Sequence, residues 1–181
     1  MLRCEITNGN PQNEQALLIM EEVWQAARGY FPGRAMPVPL FVDTPGQDAG
    51  GAAGWANGWG IGIRWGREMT RQLVRPADAW SRDDALRVLL HEWTHNFQLP
   101  EHHTGPTVRV RSGHRVHPLV EGGAEAFAYA VAPLVARKLG RPYLRRTASL
   151  KGNEYRTFVV DVTLHRGMDW ILHGQFGARR W

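Results

Sequence analysis

At 181 residues and 43% apolar content the chain can bury most of its apolar surface as a single domain, and no run of residues approaches a membrane span. Cys4 is the only cysteine, which excludes an intramolecular disulfide and leaves His and carboxylate side chains to hold any metal. The net charge of +5 and pI near 10.0 come almost wholly from arginine, since Lys138 and Lys151 are the only lysines. That charge is spread along the chain apart from Arg109, Arg111 and Arg115. It reads as a solvated positive surface, with attraction to an acidic partner as the alternative, and nucleic acid is not expected.

The start has no charged-then-apolar signal pattern, so the expected location is cytoplasmic, or outside the cell by a non-classical route. Asn10 and Pro11 open a helix that runs to about Arg28 and stops at Gly29, with Leu17, Met20, Val23, Trp24 and Ala27 on its buried face. Val38 to Asp43, bracketed by prolines, reads as a short strand. Asp48 to Gly54 is a glycine- and alanine-rich loop. After it, Trp59, Ile61, Ile63 and Trp65 alternate with Gly58, Gly60, Gly62 and Arg64, the pattern of a strand with one apolar and one nearly bare face. The bare face admits a peptide lying along an edge strand or, equally well, another element of the core. Arg67 to Val74 reads as a short helix ahead of Pro76.

The stretch LRVLLHEWTHNFQ, Leu86 to Gln98, carries the chemistry. Helical spacing sets His91 and His95 one turn apart on one face, where both imidazoles can reach one metal ion, and Glu92 sits beside them as a base for a bound water. Ser81 with Asp84 reads as a capping box for this helix, and Leu86, Leu89, Leu90, Trp93 and Phe97 give it an apolar stripe. Glu101 to His117 reads as a polar loop. His117 and Pro118 then start a second long helix, ending at Gly140 and kinked or interrupted at Pro133. Tyr155 to Leu172 reads as a helix, with strand left open by Val159, Val160 and Val162.

A catalytic zinc site takes three protein ligands and keeps one position open. Glu121 is the expected third ligand. It stands in E-G-G-A-E with Glu125 one turn on, so that one carboxylate binds metal while the next accepts the ring N–H of a ligand histidine. Gly122, Gly123 and Ala124 lack bulk, which lets this helix approach the motif helix.

HEWTH followed by EGGAE resembles the gluzincin metallopeptidases, the superfamily of thermolysin and the zinc aminopeptidases, over about Ser81 to Leu139. The resemblance implies an α+β zincin-like domain, with a small mixed sheet, an active-site helix and a glutamate-ligand helix. Residues 1–78 would supply a helix and the sheet, and 79–181 the helical portion with the metal site. It implies one zinc on His91, His95 and Glu121, Glu92 as the base and Glu125 as the partner of a ligand histidine. It also implies a downstream Tyr or His that steadies the oxyanion; Tyr155 is the choice, with Tyr143, His165 and His173 behind it. The activity implied is hydrolysis of a peptide bond in an extended substrate.

A metzincin-like alternative makes Glu101 the third ligand, with His102 and His103 nearby, although Gln98 stands where that family needs glycine. His114 and His117 are placed on a solvated loop that lines the cleft. A phage or bacterial cell-wall peptide hydrolase, a protease acting on DNA-bound proteins, and a zinc-binding module without activity are the other classes left open.

Overall fold

The order of elements follows the punctuation of the sequence. The computed structural model describes residues 6–33, 35–42, 62–111, 113, 115–144 and 155–177. Cys4, Asp43, the loop at 48–54, the strand positions Trp55 to Ile61, His114 and Lys151 lie outside them. Five helices and two two-stranded sheets make the described part an α+β protein, as expected.

Helix α1 spans Pro11–Ala27 and is capped by Asn10, whose side chain accepts from the Gln12 N–H at 2.9 Å. The five apolar positions read as its buried face are all buried. Strands β1 (Val38–Val42) and β2 (Gly62–Gly66) pair in parallel, Val38 opposite Gly62 and Val42 opposite Gly66. In β2 the alternation holds: Ile63 and Trp65 point into the core. A Cβ on Gly62 would lie 3.1 Å from the Val38 carbonyl oxygen, so at this glycine the close neighbour is β1.

Helix α2 spans Arg67–Val74, and α3, the motif helix, spans Ala79–His95. The cap of α3 departs from expectation. Asp78, not Ser81, is the N-cap; its side chain accepts from the Ser81 N–H at 2.7 Å. Helix α3 therefore starts nearly a turn earlier than the Ser81–Asp84 pairing implied. Asp84 instead accepts from Arg87, at 3.0 and 3.2 Å.

After a 3-10 turn at Pro100–His103, strands β3 (Val108–Arg109) and β4 (Arg115–Val116) form a small antiparallel hairpin. Helix α4 spans Pro118–Lys138 and runs through Pro133 as one helix, so the interruption left open there does not occur. Helix α5 spans Arg156–Leu172, which settles helix over strand, and turns sharply at Gly167 (φ 74°), a left-handed conformation that favours glycine. Helix α4 packs mainly on α3 and α5, α2 and β2 pack against α3, and α1 packs against α2 and α4.

Trp93 of α3 lies at the centre of the core, edge-on to Trp24 at 5.3 Å and to Phe31 at 6.3 Å. Leu89, Leu90, Phe127 and Val131 complete the wall between α3 and α4. Burial of such side chains, each stabilising by about 1.5–3 kcal/mol, fixes the face of α3 that is left for chemistry. Helix α4 also amends the expectation about membranes. By length and mean hydropathy (1.3) it is apolar enough to cross one, but 72% of that window is buried against the rest of the protein, as in a core helix.

Candidate metal centre

His91 and His95 emerge from the last two turns of α3, with ring centroids 4.7 Å apart and planes at 85°. Their Nε2 atoms approach to 3.0 Å, and Glu121 on the first turn of α4 brings Oε2 to 3.3 Å from the first and 3.5 Å from the second. Among the described residues this trio forms a group able to hold a metal ion, its ligand atoms all within 4.8 Å of one another. Bonds of about 2.0–2.1 Å at tetrahedral angles separate ligand atoms by about 3.3 Å, so the triangle has the size that zinc requires.

The far side of each ring is held. His91 Nδ1–H donates to Glu125 Oε2 at 2.9 Å, the pairing expected of Glu125. Glu125 is only 1% exposed, and a carboxylate buried that deeply needs a cation. Arg87 supplies it, its Nη1 lying 2.6 Å from both Glu125 oxygens while Nε and Nη2 donate to Asp84. His95 Nδ1–H donates to Gln98 Oε1 at 2.9 Å. The amide can only be oriented this way, because Gln98 Nε2 must donate to the Val120 carbonyl at 2.8 Å and to Gln175 Oε1 at 2.9 Å. Gln175 in turn donates to the Ile171 carbonyl. Both Nδ1 atoms thus carry protons, and both Nε2 atoms are left to face Glu121.

The electrostatics favour positive charge at that point. Burial pushes the His91 pKa down, but the hydrogen bonds its ring donates to Glu121 and Glu125 outweigh that and hold it up to about 10. Burial works to raise Glu121, yet its bonds to His91 and His95 hold it well below the usual carboxylate range. The negative field that retains a proton here also attracts a divalent cation.

The glycines of EGGAE act differently from expectation. A Cβ on Gly122 would meet the Phe158 carbonyl group at 2.7 and 2.8 Å and its Cβ at 2.9 Å, and one on Gly123 would meet Gln175 Oε1 at 2.9 Å and Gln98 Nε2 at 3.2 Å. The close approach is therefore to α5 and to the amides that steer His95, more than to α3 itself. Gly122→Ala gains about 1 kcal/mol of helix propensity but forces a methyl into backbone, an overpacking cost of about 1–3 kcal/mol that opposes and generally exceeds that gain. Net loss of stability in urea denaturation is expected; a variant more stable than wild type would contradict this packing.

Glu92, on the turn between the two histidines, is 5% exposed. Asn96 donates to the Glu92 carbonyl at 3.0 Å and accepts from the Gly62 N–H at 2.9 Å, tying the end of α3 to the start of β2. Tyr155, just ahead of α5, stacks on His91 with centroids 6.0 Å apart and planes at 15°. Its rivals lie elsewhere: Tyr143 packs against the core, and His165 and His173 are exposed on α5 and its cap. Glu101 is exposed on the 3-10 turn and is not in the ligand group; nor are His102 and His103. The His117 ring, half-buried, lies 6.4 Å from His103.

Arg87 and Gln98 are the site residues that sequence reading missed. Each carries a signal in hindsight: Arg87 stands one turn before His91, and Gln98 three residues after His95. Comparison with protein-family models, with curated proteins and with solved structures returned no match.

Proposed function

We propose that this chain is a zinc metallopeptidase of gluzincin type on a zincin-like domain. The observation that carries the proposal is the His91–His95–Glu121 triangle, with both imidazoles locked from behind and Glu92 on the same helix. Two neutral nitrogens and one carboxylate suit zinc and leave one position open.

Zinc bound there would polarise a carbonyl and bring the pKa of water toward ~7. The work of the chain is to place groups around that chemistry. Glu92 takes a proton from the attacking water and passes it to the departing amine, as a buried carboxylate beside the ligands can. Glu125 and Gln98 hold the rings in register, and Arg87 pairs with both oxygens of Glu125. Tyr155, stacked on His91, is the donor we assign to the developing oxyanion. The substrate is an extended peptide, lying beside the sheet that Asn96 ties to the motif helix. No observation favours Glu101 as the third ligand.

Metal analysis after dialysis tests the reading. About one zinc per chain is expected, as three converging donors imply. Below roughly 0.3 equivalent, with no recovery on adding zinc, the proposal fails. A peptide-library cleavage profile, abolished by chelation and restored by zinc, would define the bond preference.

A further inference from the structure

The hairpin that separates the motif helix from the glutamate-ligand helix has a composition that the metal site does not explain. Between Glu101 and Glu121 the chain has no Asp or Glu at all, while Arg109, Arg111 and Arg115 fall within seven residues, 109–115. Strand register places Val108 and Val116 on one side and Arg109 and Arg115 on the other, and Arg111 sits in the turn that follows β3. Val110 is buried; Arg109, Arg111 and Arg115 are exposed. The register sets Arg109 directly opposite Arg115, a like-charge pair that weakens a hairpin unless an anion lies between. Arg115 donates to Thr107 through Nε and Nη2, and neither Arg109 nor Arg111 has an ion pair among the described residues.

The hairpin is also joined to the site. Strand β4 ends one residue before His117, whose carbonyl accepts the Glu121 N–H at 3.0 Å. His103 and His117 face each other at the hairpin's base, 6.4 Å apart. The hairpin thus leads directly into the first turn of the helix that carries Glu121.

We propose that the arginine face of the β3–β4 hairpin docks an acidic stretch of the substrate polypeptide, making this a peptidase for sequences rich in Asp or Glu beside the cleaved bond. Guanidinium groups pair with carboxylates bidentately and carry their charge at every working pH. The face is only two short strands wide, which suits a few side chains of one extended peptide. A nucleic acid backbone needs a longer positive track, and the remaining charge is dispersed. The proposal rests on the peptidase reading for its meaning, but its test does not depend on turnover.

The test uses full-length Glu92→Gln protein, with and without zinc, so that bound peptide stays uncut. Fluorescence anisotropy is read for a dye-labelled glutamate-rich peptide and for its glutamine counterpart. The acidic peptide is expected to bind more tightly, with salt weakening it as screening shortens to about 8–10 Å near physiological ionic strength. Arg109→Gln with Arg111→Gln leaves the Arg115–Thr107 bonds in place and should weaken the acidic peptide about tenfold. Arg28→Gln with Arg75→Gln removes the same charge elsewhere and should change little. Equal losses in the two double variants, or no preference for the acidic peptide, would overturn the proposal. So would a DNA duplex that binds through Arg109 and Arg111 more tightly than the peptide. Hairpin-dependent binding in a protein that holds no zinc would keep the docking surface and reject only the peptidase reading.

Discussion

Glu121→Ala should strip zinc from the protein at chelator concentrations that leave the wild type loaded, whereas Glu101→Ala should keep its metal. Removing Glu121 leaves two imidazoles, and a pair of nitrogen ligands holds zinc far more weakly than three converging donors. The geometry gives the contrast its force. Glu121 Oε2 lies 3.3 and 3.5 Å from the two Nε2 atoms, while Glu101 is exposed on a separate turn. Glu125→Ala and Gln98→Ala should fall between these extremes, losing about 10–100-fold in affinity, because each only orients a ring. Glu125→Ala carries an added cost. It leaves Arg87, which is 12% exposed, without its closest carboxylate, so stability should fall along with affinity. Competition against a chelator, read for all four variants, decides the matter. Zinc lost from Glu101→Ala and kept by Glu121→Ala would reject the gluzincin-type ligand set.

The parts of this molecule that could be read from its sequence are those governed by local rules. Pro11, Pro118 and the 3.6-residue apolar stripes mark α1, α3 and α4 because capping and amphipathicity act over a few residues. The Glu121–Glu125 pair was legible for the same reason: a helix fixes which side chains share a face. What failed was local chemistry with two solutions. Both Asp78 and Ser81 can cap a helix, and the structure uses the first. What stayed hidden was long-range. The Gln98–Gln175 contact spans most of the second half of the chain, and nothing periodic announces that an amide near the C-terminus will set the tautomer of His95. Likewise Gly122 could be read as a place of close approach, but not that the backbone of Phe158 would fill it. Sequence pointed to the three residues that converge and to one of the groups behind them. The fold supplied the rest of the support.

Glu92→Gln is the second large effect expected, and it separates chemistry from metal binding. The amide matches the carboxylate in size and keeps the helix, so the interlocked Nδ1 contacts of His91 and His95 should stand and zinc should remain near one equivalent. On the proposed mechanism, what is lost is the basic oxygen that would accept the water proton and later return it to the leaving amine. Removing a general base of this kind costs about 10²-fold or more in rate. The loss should fall on kcat, with KM little changed, because Glu92 acts in the transition state and not in holding the peptide. The burial of Glu92 sharpens the expectation, since at 5% exposure bulk water has little access to substitute for it. The measurement is steady-state turnover of a peptide the wild type cleaves, beside zinc content and a thermal melt of the same preparation. If the variant holds its zinc, melts like the wild type and still turns over at a near wild-type rate, Glu92 is not the base and the mechanism proposed for this site is wrong.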